Sequence, residues 1–395
     1  MKRSEFDYLR FEHKNFSDDQ VKKLTSRILR KKPSELSFYN CQFDCEIEQL
    51  INYDGLKKLV FESCHVKTPI HMTKFVQRFN QHTRLEHLNL RFTRVPKFAC
   101  IDRLANLTLL DVSWTTIDYE SAMLVFDSIK THRVLKELHI RDPRYGEKGE
   151  KELVSVLQLL ELQVFSGPLP ECIDLGTAFA SLTSFESGYI RSTLVLANAL
   201  RCASNMQHLI LTSVNIALEH EEELLEAVSQ MKELRTFKLF CAAREDLIAK
   251  VIANNPNLQK LSITTSEFEG IQQIATQVSR TSNLRSLCIQ FKQECGLFVA
   301  LQSHKNLKKL SVKNCNIQWK DFCDSLKEYH QLKSLRLCQN KIKVEDAKMI
   351  SDSLPPNLNV LHVNRCGMTK DALFELQKSK SITLLYLSQT LDRSL

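Results

Sequence analysis

One spacing of apolar residues recurs along almost the whole chain. It reads Leu-x-x-Leu-x-Leu, then a cysteine or asparagine three residues on, then another apolar residue two further. The clearest copies are Leu307, Leu310, Val312, Cys315 and Ile317; Leu332, Leu335, Leu337, Asn340 and Ile342; and Leu358, Leu361, Val363, Cys366 and Met368. Each copy suits one short strand and a return segment, and no copy can bury its apolar face alone, so the copies must stack on one another. Sixteen units can be placed. They begin at Phe6, Pro33, Leu56, Leu85, Leu107, Leu135, Leu159, Leu182, Met206, Leu234, Leu258, Leu284, Leu307, Leu332, Leu358 and Ile382, at spacings of 22 to 29 residues. The first unit is degenerate but keeps the register through Phe6, Leu9, Phe11 and Phe16.

A strand, a turn and a crossing need about 20 residues, so the longer units have room for a helix. Ser17, followed by Asp18 and Asp19, is a helix start, and Val21, Leu24 and Ile28 follow at helical spacing. The same periodicity appears in Leu247, Ile248, Val251 and Ile252, and again in Ile271, Ile274, Ala275 and Val278. The tightest unit, between Leu85 and Leu107, has room for short 3₁₀ turns instead.

These units resemble the leucine-rich repeat family in its intracellular, ribonuclease-inhibitor-like and cysteine-containing forms. The resemblance covers nearly the whole chain. It implies an α/β solenoid with a curved parallel sheet on the concave face and mainly helices on the convex face. The chain departs from the strict alternation of two repeat lengths in the ribonuclease inhibitor, so its curvature is left open. No Pro- or Ser/Gly-rich linker breaks the series, so residues 1–395 are expected to form a single leucine-rich repeat domain with degenerate terminal units.

Composition narrows the setting. Charged residues make up 25% and apolar ones 43%, as in ordered globular proteins. No apolar run reaches 18 residues, so no membrane span is expected, and residues 1–16 lack the apolar core of a secretory signal. Of the 13 cysteines, Cys41, Cys64, Cys315 and Cys366 occupy the turn position of the repeat. That placement, with the odd count, favours free thiols and a cytoplasmic location. The sequons at Asn15 and Asn106 are then read as chance matches.

The register also sorts side chains by face, because strand residues alternate. The third, fifth, seventh and eighth positions of each unit point away from the covered side. From Phe6 to Leu182 these positions hold Glu12, Glu35, Glu62, Asp111, Glu137, Asp142, Glu161 and Glu186 against Arg10, Lys58, Arg91 and Arg141. From Leu234 to Leu358 they hold Lys238, Lys260, Lys309, Lys313, Arg336 and Arg365, with no acid. The open face is thus expected to change sign along its length and to steer an oppositely charged partner. Phe92, Trp114, Phe165 and Tyr189 fall on exposed positions of nearby units, with His139 and Arg141 among them. Aromatic residues and arginine are enriched at binding hot spots. Each aromatic could equally fold over the edge of its own unit. Residues 142–149, with Pro143, Gly146 and Gly149, break the consensus and are expected to form an irregular loop, either a binding rim or a kink.

Nothing nominates an active site. Gly146-Glu147-Lys148-Gly149 lacks the spacing of a phosphate-binding loop. Cys41, Cys45, Cys64 and His65 make no zinc signature, since the repeat already accounts for two of them. His87, His139, His208 and His362 lie in separate units without a nucleophile placed beside them. The expectation is a non-catalytic module without cofactor or metal that binds a protein on its concave face. Its anchors would be Arg91, Phe92, Trp114, His139, Arg141, Phe165 and Tyr189, with Lys238, Lys260, Lys313 and Arg336 guiding the approach. No small-molecule substrate is expected. The net charge of +8 is too dispersed to point to nucleic acid. Repeat-only chains of this kind resemble effectors that intracellular bacteria deliver into a host cytoplasm. Resemblance also leaves open a substrate-recognition subunit of a ubiquitin ligase, though no F-box precedes the repeats, or a regulator of a small GTPase, though the acidic tail of such regulators is missing.

Overall fold

A computed structural model of the chain describes residues 7–98, 101–141, 146–169, 175–188, 190, 192–212, 220–240, 243–264, 271–290, 297–302, 304–379 and 381–387. The chain falls into two compact units, Met1–Ala203 and Ser204–Leu395. In the first, eight parallel strands run from Tyr8–Glu12 to Ser184–Ser187, each paired with the strand of the next repeat. In the second, eight more run from His208–Thr212 to Leu384–Tyr386 in the same order. Parallel neighbours need a crossover between them, and the buried side chains of the strands mark the face that is covered. The fourth and sixth residues of each repeat point into that face. Leu36 with Phe38, Leu59 with Phe61, Leu335 with Leu337 and Leu361 with Val363 are fully buried.

Helices form where the sequence has room for them. The helix Asp18–Lys31 starts at Ser17, whose N–H donates to the Gln20 side chain at 2.9 Å, and it buries Val21, Leu24 and Ile28. Glu245–Asn254 and Gln272–Arg280 bury the stripes read from their sequences. Between Leu85 and Leu107 the described residues contain no helix; the strand His87–Asn89 is followed by turns such as the one closed by Leu104 N–H on the Ile101 carbonyl at 3.0 Å. The irregular loop expected over residues 142–149 does not extend through its second half. Residues 142–145 lie outside the described residues, and Gly146–Leu159 is already a helix.

That helix also corrects the register of one repeat. The run Leu157, Leu159, Leu160, Leu162 offers two starting points. The helix claims Leu159, which is 45% exposed, while Leu162 and Phe165 are buried. The repeat therefore begins at Leu162, and the distance to the next start at Leu182 shortens to 20 residues. Phe165, expected on the exposed face, is a fourth-position core residue. It pairs in register with Leu138 and Phe185 and stacks on the Phe185 ring at 5.8 Å. Gly167 at the sixth position makes room for it, since a Cβ there would stand 2.9 Å from the Phe165 ring.

In several repeats the turn after the strand is built from the same few contacts. Cys41 and Cys64 donate their thiols to carbonyls of their own and the preceding strand, and Cys366 does the same to Asn364 and Leu337. Asn340 does more: its amide donates to Val312 and Leu337 at 2.9 and 2.8 Å and accepts the Cys315 N–H at 2.8 Å. Thr93 takes the same place in its repeat, donating to Phe61 and accepting from Cys64. The polar turn position is thus a ladder of side chains that satisfies backbone groups between repeats.

Candidate binding surfaces on the open face

The eighth residue of the repeat has a backbone that sets its side chain apart. His13, Asn40, Ser63, Phe92, Trp114, Asn314, Gln339 and Arg365 all sit there, and all have φ between 49° and 64°. The left-handed turn lets the N–H reach the carbonyl of the seventh residue in the next repeat, as from Asn40 to Glu62 at 3.0 Å, Ser63 to Arg91 at 2.8 Å and Phe92 to Ser113 at 3.0 Å. Asparagine tolerates this conformation and other side chains adopt it at a cost of roughly 1–2 kcal/mol. Phe92 and Trp114 are bulky exceptions in adjacent repeats.

Their side chains do not fold back over their own repeats. Each is 49% exposed, and the two rings stack 6.1 Å apart at an interplanar angle of 5°. The Arg91 guanidinium lies over the Phe92 ring at 4.8 Å, leaving its buried Nε without a described partner. Arg91, Phe92 and Trp114 therefore form one patch.

The other residues expected beside them are differently placed. His139 is half-buried, with Nε2 at 3.9 Å from Glu137, and burial, opposed by Asp111 and Glu137, holds its imidazole below the ordinary histidine range. Arg141 is held by its neighbours. Its guanidinium bonds Ser166 and pairs with Glu186, and its backbone N–H donates to Ser113 at 3.4 Å. Phe165 belongs to the core, and Tyr189 lies outside the described residues. The acidic character expected for this part of the face is reduced accordingly. Glu186 is neutralised by Arg141, Glu12 by Arg10, and Glu161 moves off the strand when the repeat shifts to Leu162.

The second unit carries a different surface. Lys238, Lys260, Lys309, Lys313 and Arg336 line one hollow of about 610 Å³, with Arg285 and Lys308 at its edge. None of the lining residues is acidic. The sequence register placed the first five together. Arg285 and Lys308 were missed because they occupy the second position, just ahead of the strand, which the alternation rule does not count as part of the face. Beyond Arg336 the surface continues through Cys338, His362 and Arg365. Burial first, then the Arg336 charge, holds the His362 imidazole below its ordinary value.

Among the described residues, no group of three or more His, Cys, Asp or Glu side chains could hold a metal ion. Among them, too, no helix is long and apolar enough to cross a membrane.

No family model matches the chain. The ribonuclease inhibitor of Mus musculus is 25% identical to it over 278 residues, 66% of this chain and 53% of that protein. The chain thus spans about half the length of the curated relative it matches. Among solved structures, the complex of TLR13 with ssRNA13 is similar over 90% of this chain and 49% of that one, at 16% identity and a TM-score of 0.51. A leucine-rich repeat protein of Leptospira interrogans is similar over 95% of this chain and 89% of its own, at 15% identity and a TM-score of 0.44.

Proposed function

We propose that this chain, whose repeat and fold are those of the leucine-rich-repeat proteins, is a non-catalytic module that binds a protein through the Arg91, Phe92 and Trp114 patch of its first unit. The observation that carries this reading is the stacked, half-exposed pair of rings held in left-handed turns. The turn itself is set by the backbone bond to the next repeat; what the fold does not require there is a bulky aromatic side chain, and two of them in adjacent repeats support a role at the surface. Large, stiff aromatic side chains lose little rotamer entropy on burial, and a preformed sheet adds little more, so a partner can gain most of the contact energy. The matched mouse protein is by name an inhibitor of a ribonuclease, which supports a protein as partner. Thiols at Cys41, Cys64 and Cys366, spent on backbone carbonyls, support a reducing compartment, a host cytoplasm included.

The test is a Phe92→Asn/Trp114→Asn variant. Asparagine suits the left-handed turn, so the variant is expected to keep its melting temperature within a few degrees. Affinity capture with both proteins, read by mass spectrometry, should recover a partner on the wild type that the variant loses at least tenfold. If every captured protein is retained equally by both, the aromatic patch is not the binding site.

A further inference from the structure

We infer that the basic hollow of the second unit is a binding site for a compact, soluble polyphosphate, a small molecule carrying several phosphate groups on one core. This goes beyond the protein-binding reading, uses other residues and does not depend on it.

Placement of the cations carries the inference. Lys238, Ser262, Cys288, Ser311 and Arg336 stand side by side in register on five successive strands. At about 4.8 Å per strand the two cations are about 19 Å apart at the backbone. Lys260 and Lys309 share the neighbouring row with Ser286 between them, and Lys313 closes the row on the other side. Long cationic side chains therefore surround a floor of small residues. Ser262 and Ser311 are buried in that floor, and the Ser311 hydroxyl has no described hydrogen-bond partner. A multiply charged anion of about 10 Å across would meet lysine and arginine donors on all sides and a hydroxyl donor from below.

Among the described residues these cations also lack ion-pair partners. None of the five makes an ion pair with a described residue, whereas Arg10 and Arg141 of the first unit do. A cleft lined by one sign of charge concentrates the opposite ion. Two other anionic ligands fit less well. RNA needs aromatic platforms for its bases, and Phe240 is the one aromatic residue in the lining. An acidic peptide would spread along the sheet, and it gains little from a ring of cations closing on a small-residue floor.

The experiment is calorimetric titration of the full chain with inositol hexakisphosphate, decaglutamate and a single-stranded RNA decamer at 150 mM salt. One-to-one binding of inositol hexakisphosphate is expected, with a rise in melting temperature. Lys260→Ala/Lys309→Ala should weaken it at least tenfold and Ser311→Ala a few-fold. A Lys22→Ala/Lys23→Ala control on the first helix and the Phe92→Asn/Trp114→Asn variant should leave it unchanged, which separates this site from the aromatic patch. No binding by the folded wild type would overturn the inference. So would binding that the hollow variants leave intact, or decaglutamate or RNA binding that inositol hexakisphosphate does not displace.

Discussion

Asn340 concentrates the chemistry of a whole turn in one side chain. It is 2% exposed and makes three hydrogen bonds to the backbone of two repeats. Replacing it with alanine removes three hydrogen bonds from a buried site and leaves the Leu337 carbonyl with the weaker Cys366 thiol donor. Since a buried polar group left unpaired costs about 1–3 kcal/mol, Asn340→Ala should destabilise the second unit by about 3 kcal/mol. Denaturant unfolding measures it, and a loss below about 1 kcal/mol would mean that water replaces the amide. Asn340→Thr should recover part of the loss, because Thr93 performs a shortened version of the same task in its own repeat. This position was legible in the sequence because the demand on it is local and chemical: a short polar side chain three residues past the last strand leucine. The eighth position was only half legible. Its register was readable, but its left-handed backbone was not, since Phe92 and Trp114 are residues that ordinarily avoid that conformation.

At the scale of a strand with its return segment, the misread repeat is instructive. Leu159, Leu162 and Val164 satisfy the spacing as well as Leu162, Phe165 and Gly167 do. Periodicity alone cannot choose between two overlapping leucine series. The choice falls to the helix before the strand, which runs to Leu159, and to Gly167, which empties the sixth position so that the Phe165 ring can occupy it. Phe165→Ala is therefore expected to cost about 3–5 kcal/mol by opening a cavity. Gly167→Ala should also destabilise, because the new methyl group meets that ring. Were Phe165 a surface anchor, its removal would leave the unfolding midpoint unchanged and reduce only partner capture. The cations of the second unit were easier to read, because five of them fall on strands where alternation fixes the face. Arg285 and Lys308 precede their strands, where alternation has no hold.

Across the whole molecule, histidines set an acid limit to stability. Burial is the first cause that lowers His82, His87, His139, His208, His304 and His362, and for His87 the value falls from 6.5 to about 4, with Lys58 and His139 lowering it further and Asp111 opposing them. These imidazoles take up protons less readily in the fold than once the chain unfolds. Their contribution is intact above pH 6.5 and is lost as pH falls toward the folded values. For His87 the gap amounts to at most about 3 kcal/mol at pH 4. Melting temperature should fall between pH 6.5 and 5, where most carboxylates remain charged, and His87→Gln should flatten part of that fall. An unchanged slope in the variant would mean that His87 takes up its proton as readily in the folded chain as in the unfolded one. The left-handed eighth position has a consequence of another kind. Its backbone bond is made by the N–H, whatever side chain is attached, so one repeat can exchange histidine for asparagine, tryptophan or arginine without disturbing the next. Such a scaffold separates inheritance of its shape from inheritance of its vocabulary: lineages could rewrite what the molecule recognises, one letter per turn, while the grammar that folds it stays the same.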